Sequence, residues 1–186
     1  MSSRRQILLG VTGSIAAYRA AELVRLMKAR DWDVRVVMTA AATRFVGELT
    51  FRTLSQNPVA VDMFTESVEW KPEHIALADA AEVMVIAPCT ANAMAKLAHG
   101  LADDLLSCTA LATRAPLVVA PAMNEKMWDH PATQNNAAVL RERGVGIVEV
   151  GTGDLACGYQ GRGRLASLED IVAAVESALE RGASER

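Results

Sequence analysis

Leu117-Val118-Val119-Ala120-Pro121-Ala122-Met123-Asn124-Glu125-Lys126-Met127-Trp128 begins as an unbroken apolar run and ends as a mixed polar and apolar segment. Pro116 and Pro121 bound the run. An apolar run this short, without alternation, reads as a strand buried on both faces, the kind found in parallel sheets covered by helices. Asn124 then falls just past the strand's carboxyl end, where open α/β sheets bind ligands. Its amide offers donors and acceptors, and Met123, Met127 and Trp128 offer apolar walls. The alternative is an asparagine that caps a helix start, with Met127 and Trp128 as ordinary core.

The same pattern recurs on either side of this stretch. Gln6–Val11, Asp33–Met38, Val83–Ala87 and Gly146–Val150 read as strands, and Pro58–Val61 as a short one. Helical patterns lie between them. One opens at Ser14 and runs to about Arg30, with Ala16, Ala20, Leu23, Val24 and Met27 on one stripe. An Ala-rich helix follows Pro88-Cys89-Thr90-Ala91-Asn92 and ends near Gly100. Ala102–Ala112 is expected to be helical with Asp103 and Asp104 in its first turn, and Pro131–Arg143 to be a helix ended by Gly144. Ser167 caps a last helix whose stripe is Ile171, Val172, Val175 and Leu179. Strands alternating with helices predict an α/β fold: a single-domain, doubly wound parallel sheet in a flavodoxin/Rossmann-like three-layer α/β/α arrangement. The expected domain spans residues 1–181, with 182–186 as a loose tail.

Composition excludes several function classes. The chain has 186 residues, 51% hydrophobic and 22% charged, which is globular. A net charge of -3 and 4% aromatic content give no nucleic-acid surface and no base-stacking platform. Cys89, Cys108 and Cys157 form no CxxC pair, which fits a reducing, cytoplasmic setting. Arg4-Arg5 before Ile7-Leu8-Leu9 imitates a signal peptide, but Gly10, Thr12, Gly13 and Ser14 interrupt the apolar stretch at once. No run approaches the length of a membrane span, and no histidine pair has metal-ligand spacing.

The first strand–turn–helix, Gly10-Val11-Thr12-Gly13-Ser14-Ile15, suits a phosphate: glycines permit close approach and a helix start favours an anion. It is not the dinucleotide fingerprint, because the spacing differs and the second strand ends in Met38-Thr39 with no carboxylate for a ribose. Hydroxyl-rich turns at Thr12/Ser14, Thr39 and Thr90/Asn92 suit flavin mononucleotide (FMN) better.

Five motifs in order then carry a family resemblance. Gly10-x-Thr12-Gly13-Ser14-Ile15-Ala16-Ala17-Tyr18, His74-Ile75-x-Leu77-Ala78, Ala87-Pro88-x-Thr90-Ala91-Asn92, Ala102-Asp103-Asp104-Leu105-Leu106 and Pro121-Ala122-Met123-Asn124-x-x-Met127-Trp128 resemble the flavin-containing cysteine decarboxylases. The resemblance covers nearly the whole chain. It implies FMN bound through Gly13, Ser14, Ile15, Thr39, Thr90, Ala91, Asn92, Ala93, Ser107 and Ala122. It implies His74 as the catalytic histidine of the oxidation half-reaction, an imidazole being able to take a thiol proton near neutral pH. Asn124 would grip the substrate carboxylate beside Met123. The Gly-rich stretch Gly151–Arg164 resembles the mobile flap of the coenzyme A branch, with Cys157 as proton donor flanked by Ala156 and Gly158; a loop of this kind is commonly a lid. Without the resemblance, His74 reads as a buried or capping histidine and the flap as a connector. Cys89 and Cys108 read as packing, and His99 and His130 as structural or exposed.

The implied reaction is decarboxylation of 4'-phosphopantothenoylcysteine, a small phosphorylated substrate, to 4'-phosphopantetheine through a thioaldehyde and an enethiol. The rivals are a peptidyl-cysteine decarboxylase acting on a bacteriocin precursor, a non-catalytic flavin-binding regulatory subunit, and a flavin prenyltransferase. The resemblance also implies a homotrimer, or a dodecamer of trimers, with flavin at subunit contacts. Bacterial members often carry a synthetase domain after this one, so the chain is expected to be either a stand-alone enzyme or one domain of a longer protein.

Overall fold

A computed structural model describes residues 4–64, 70–154 and 160–184. Its elements follow the alternation of the sequence: β1 Gln6–Val11, α1 Ala17–Lys28, β2 Asp33–Met38, α2 Glu48–Ser55, β3 Val59–Ala60, α3 Glu73–Ala80, β4 Val83–Cys89, α4 Ala91–His99, α5 Leu105–Ala112, β5 Leu117–Pro121, α6 Glu125–Trp128, α7 Pro131–Glu142, β6 Gly146–Ile147, β7 Gly151–Asp154, β8 Gln160–Arg164 and α8 Leu168–Ser184. The first six strands form one sheet in the order β3-β2-β1-β4-β5-β6, and every pairing in it is parallel. This is the expected doubly wound sheet, with its strand order reversing between β1 and β4.

The strands lack period-two alternation because both of their faces are buried. Ile7, Leu9, Val36, Val83, Val85 and Val118 face a layer built from α1, α2 and α8, where Leu23, Met27, Phe51, Ile171 and Val175 pack. Leu8, Val37, Met84, Ile86 and Val119 face the opposite layer, with Leu77, Met94, Leu105, Trp128 and Leu140. Neighbouring strand residues thus serve different cores, and each core demands an apolar side chain.

Several local expectations change. Helix α1 starts at Ala17 rather than Ser14, because the Ser14 amide donates to Thr12 O and the Ala16 amide to Ser14 Oγ, making a separate turn first. Helix α5 starts at Leu105, so Asp103 and Asp104 precede its first turn. Asp104 is extended, at φ -139° and ψ 165°, and caps the helix. His74–Asp79 belongs to α3, which begins directly after Pro72. β6 is only two residues long, Gly146–Ile147. The segment expected to be an irregular loop from Gly151 forms an antiparallel hairpin of β7 and β8, and residues 155–159 lie outside the described residues. The loose tail does not begin at Gly182: α8 continues through Ser184, and Gly182 is buried against Pro116.

Leu9 is fully buried at the centre of the sheet. Leu9→Ala should lower the unfolding free energy by about 2–5 kcal/mol. Arg35→Ala on the exposed edge of β2 should change it by less than about 0.5 kcal/mol, both read by urea denaturation.

Candidate functional site

Two adjoining clefts open at the carboxyl ends of the strands, where the strand order reverses. The larger, about 630 Å³, is lined by Gly13–Ala16, Tyr18, Arg19, Thr90, Ala91, Ala122–Asn124, Met127 and Gly163–Leu165. The smaller, about 440 Å³, is lined by Thr12, Gly13, Thr39–Ala41, Thr90–Ala93, Lys96, Leu97, Asp104, Leu106, Ser107 and Met127. Gly13, Thr90, Ala91 and Met127 belong to both. These sizes are typical of small-molecule and cofactor sites.

The floor between the clefts is built by Thr12. Its buried hydroxyl donates to Pro88 O at 2.7 Å and accepts from the Thr90 amide at 3.0 Å. This fastens the ends of β1 and β4 together just where their connections leave for opposite faces of the sheet. Thr90 then caps α4, its Oγ1 accepting from the Ala93 amide at 3.2 Å. The glycines of the first turn answer to packing inside the chain. A Cβ on Gly10 would meet Leu106 and Ile86 at 3.0 and 3.1 Å, and one on Gly13 would meet the Ala41 Cβ at 2.6 Å. The tight approach of the turn to Ala41 closes the wall that both clefts share.

One wall of the smaller cleft is an electrostatic unit. Asp104 accepts from the Ser107 amide and hydroxyl, both at 2.8 Å, while Ser107 Oγ accepts from the Asp104 amide at 3.2 Å. Lys96 Nζ lies 2.6 Å from Asp103 and 2.7 Å from Asp104. Burial pushes the Asp104 carboxyl up, but its bonds to Lys96 and to Ser107 outweigh that and hold it below the usual range. Burial lowers the Lys96 ammonium, and the two aspartates more than reverse the effect. The lysine cation of this cleft is thus taken up by two carboxylates. Its remaining polar groups are neutral: Thr39, Thr90, Asn92 and Ser107.

The larger cleft is walled by the hairpin. The Met123 amide donates to Gly163 O at 2.9 Å, and Gly163 (φ +116°) lies so close to Met123 O that no Cβ fits between them. Glu125 lies across Gly161, within 2.5 Å of where a Cβ would stand, and its Oε1 accepts from the Arg162 amide at 3.3 Å. No spacing in the sequence marked this seating of β8 on the Asn124 loop.

Asn124 satisfies both readings offered for it. Its Oδ1 accepts from the Lys126 amide at 3.0 Å, capping α6, and the residue lines the larger cleft beside Met123. Met127 lines both clefts, whereas Trp128 is 2% exposed and belongs to the core. Of the residues expected to hold a cofactor, Gly13, Ser14, Ile15, Thr90, Ala91 and Ala122 line the larger cleft, and Thr39, Asn92, Ala93 and Ser107 the smaller. His74 sits on α3, half-buried, and lines neither cleft. Ala156, Cys157 and Gly158 lie outside the described residues. The Cys89 thiol is pushed up to about 12 by complete burial and is a packing group. His130 caps α7, its Nδ1 accepting from the Ala132 amide. Lys96, Arg19 and Arg164 were missed as lining residues; only Arg19's place just after the glycine turn offered a signal.

With this geometry in hand, comparison with known proteins decides the family. The Flavoprotein family model matches residues 1–180. The chain belongs to the Flavoprotein family. It is 46% identical over 176 residues to the coenzyme A biosynthesis bifunctional protein CoaBC of Bacillus subtilis, covering 95% of this chain but 43% of that protein. The chain therefore spans less than half the length of the curated relative it matches. Among solved structures, the FMN-dependent cysteine decarboxylase SpaF superposes with a TM-score of 0.83 at 34% identity, covering 96% of this chain and 97% of that one. A cysteine-to-serine mutant of PPC decarboxylase, complexed with pantothenoylaminoethenethiol, superposes with a TM-score of 0.85 at 31% identity, covering 96% and 100%. The doubly wound fold is thus shared with flavin-dependent decarboxylases. No helix among the described residues is long and apolar enough to cross a membrane.

Asp104 has a depressed folded-state pKa, so its stabilisation is present above the unfolded value and is lost as pH falls through the folded one. Asp104→Ala should lower the unfolding free energy at pH 7 by about 0.5–2 kcal/mol. The difference from the parent should shrink once the pH drops below about 3.9, the ordinary aspartate value. Denaturant titrations at both pH values measure it.

Proposed function

We propose that this chain is an FMN-dependent decarboxylase that converts 4'-phosphopantothenoylcysteine to 4'-phosphopantetheine in coenzyme A biosynthesis, acting in the cytoplasm. The observation that carries the reading is the cleft pair at the strand-order reversal, which gathers Asn124 and the expected cofactor residues onto continuous walls. Family membership, the similarity to CoaBC and the likeness to PPC decarboxylase support it.

The residues present fit the flavin. Apolar side chains at Ile15, Met123 and Met127 suit a flat aromatic ring, while Thr39, Thr90, Asn92 and Ser107 offer neutral partners for a hydroxylated, phosphorylated chain. FMN when bound would take two electrons from the cysteine carbon, which makes carbon dioxide loss possible, and would give them back to the enethiol so that the product is the thiol. The protein positions and exchanges protons. Asn124 holds the carboxylate and aligns the bond that breaks, its own orientation fixed by the Lys126 amide. His74 takes the thiol proton, and Cys157 returns a proton to the enethiol. Because His74 lines neither cleft of its own chain, the reading requires it to enter from a second copy. That requirement accords with a homotrimer, or a dodecamer of trimers, with flavin at the subunit contacts.

The direct test incubates the purified, flavin-loaded protein with 4'-phosphopantothenoylcysteine and follows carbon dioxide and thiol product. A protein that turns over only a cysteine-terminated peptide would replace this reading with the peptidyl one. Asn124→Asp keeps the helix cap, aspartate being as good a cap as asparagine, but sets a carboxylate against the substrate's own. Its KM should rise at least about tenfold with no change in thermal stability; an unchanged KM would remove Asn124 from the carboxylate site. His74→Asn should bind flavin and release no carbon dioxide. Mixing His74→Asn with Asn124→Asp protomers should raise kcat/KM above the mean of the two variants measured alone, and a value at that mean would contradict a site shared between copies.

A further inference from the structure

The charged side chains along the larger cleft are all of one sign. Among the described residues, Arg19 and Arg164 line it and no carboxylate does. Arg19 projects from the first turn of α1, half-buried, with Nη1 3.4 Å from Ala166 O. Ala166 lies two residues beyond Arg164, so the Arg19 guanidinium reaches the segment by which β8 leaves for α8, and both arginines line the one cleft. The Arg164 side chain lies back along the hairpin, its Nη1 3.2 Å from where a Cβ on Gly153 would stand. Neither arginine has a carboxylate partner among the described residues. The cation of the smaller cleft differs, since Lys96 is held by both Asp103 and Asp104. Among the described residues, the larger cleft therefore offers two guanidinium groups without a carboxylate, whereas the cation of the smaller is already paired.

We propose that Arg19 and Arg164 form the subsite for a phosphate monoester, the one on the end of the substrate remote from its cysteine. The inference rests on the decarboxylase reading. Three physical points support it. A phosphate monoester carries nearly two negative charges at neutral pH, which two guanidinium groups balance and one carboxylate would not need. Planar guanidinium forks match phosphate oxygens bidentately. The carboxylate end of the substrate is already provided for at Asn124 in the same cleft. The flavin also bears a phosphate monoester, and the neutral hydroxyls of the smaller cleft could hold it by hydrogen bonds, so flavin retention in the variants is the measurement that separates the two phosphates. The subsite selects a phosphorylated small molecule over an unphosphorylated cysteine-terminated peptide.

The test compares kcat/KM for 4'-phosphopantothenoylcysteine with that for the same compound lacking its phosphate. The readout is their ratio in the flavin-loaded protein. The parent should favour the phosphorylated form. Arg19→Gln and Arg164→Gln should each reduce the ratio about tenfold, less at high salt, because both contacts are partly solvated. Arg19→Lys, which keeps the charge but not the planar fork, should lose less of the preference than Arg19→Gln. Arg164 is exposed, so Arg164→Gln tests the subsite even if Arg19→Gln fails to fold. A ratio unchanged in a folded variant would overturn the subsite. Equal losses on both substrates would assign the arginines to the carboxylate end and also overturn it. Loss of bound flavin from the variants, followed by fluorescence, would assign them to the flavin phosphate with the same result. A parent protein that decarboxylates neither compound would instead sink the decarboxylase reading itself.

Discussion

Where β1 and β4 separate, one hydroxyl joins them. Thr12 gives its proton to Pro88 O and receives one from the Thr90 amide, in a position with 1% exposure. The two strands are neighbours in the sheet, yet their connections depart to opposite faces. A crevice must open above such a point, and its depth depends on how closely the strand ends are held. Valine would keep the shape of Thr12 but leave the Thr90 amide without its acceptor, which is the expensive way to lose a hydrogen bond. Both clefts take Gly13 on one side of this tie and Thr90 with Ala91 on the other.

From that floor the two clefts diverge in character. The smaller is framed by helix starts whose amides are already served: Ala93 by Thr90, and Ser107 by Asp104. Its lysine is held by two aspartates, so it presents hydroxyls and an amide rather than a free cation. The larger has a wall that is not part of the sheet. The hairpin reaches it only because glycine stands at 161 and 163, letting β8 press against Glu125 and the backbone of Met123. The same contact that shapes the cleft ties the hairpin to the loop bearing Asn124.

Much of this was legible in advance. Apolar runs without alternation at Gln6–Val11, Val83–Ala87 and Leu117–Ala120 can satisfy only a sheet covered on both faces, and the buried stripe Ile171, Val172, Val175 and Leu179 of α8 was readable from its spacing. Helix boundaries were less so. Ser14 and Asp104 are polar residues that compete with the backbone, one making a turn before its helix and the other a cap, and composition alone does not say which. Asn124 shows the limit most clearly, because capping and cleft-lining looked like alternatives and are both true of it.

By itself the sequence determined the layer architecture, the place of the turns that surround the crevice and the residue types offered there, since periodicity and turn chemistry act over a few neighbouring residues. The tertiary structure alone decided the strand order, the seating of Glu125 on Gly161, the reach of Arg19 to Ala166 O, and the absence of His74 from its own chain's clefts. Each of these joins segments far apart along the chain. Nothing in local patterning encodes such distances; they follow from how the crossovers wind around a sheet buried on both faces.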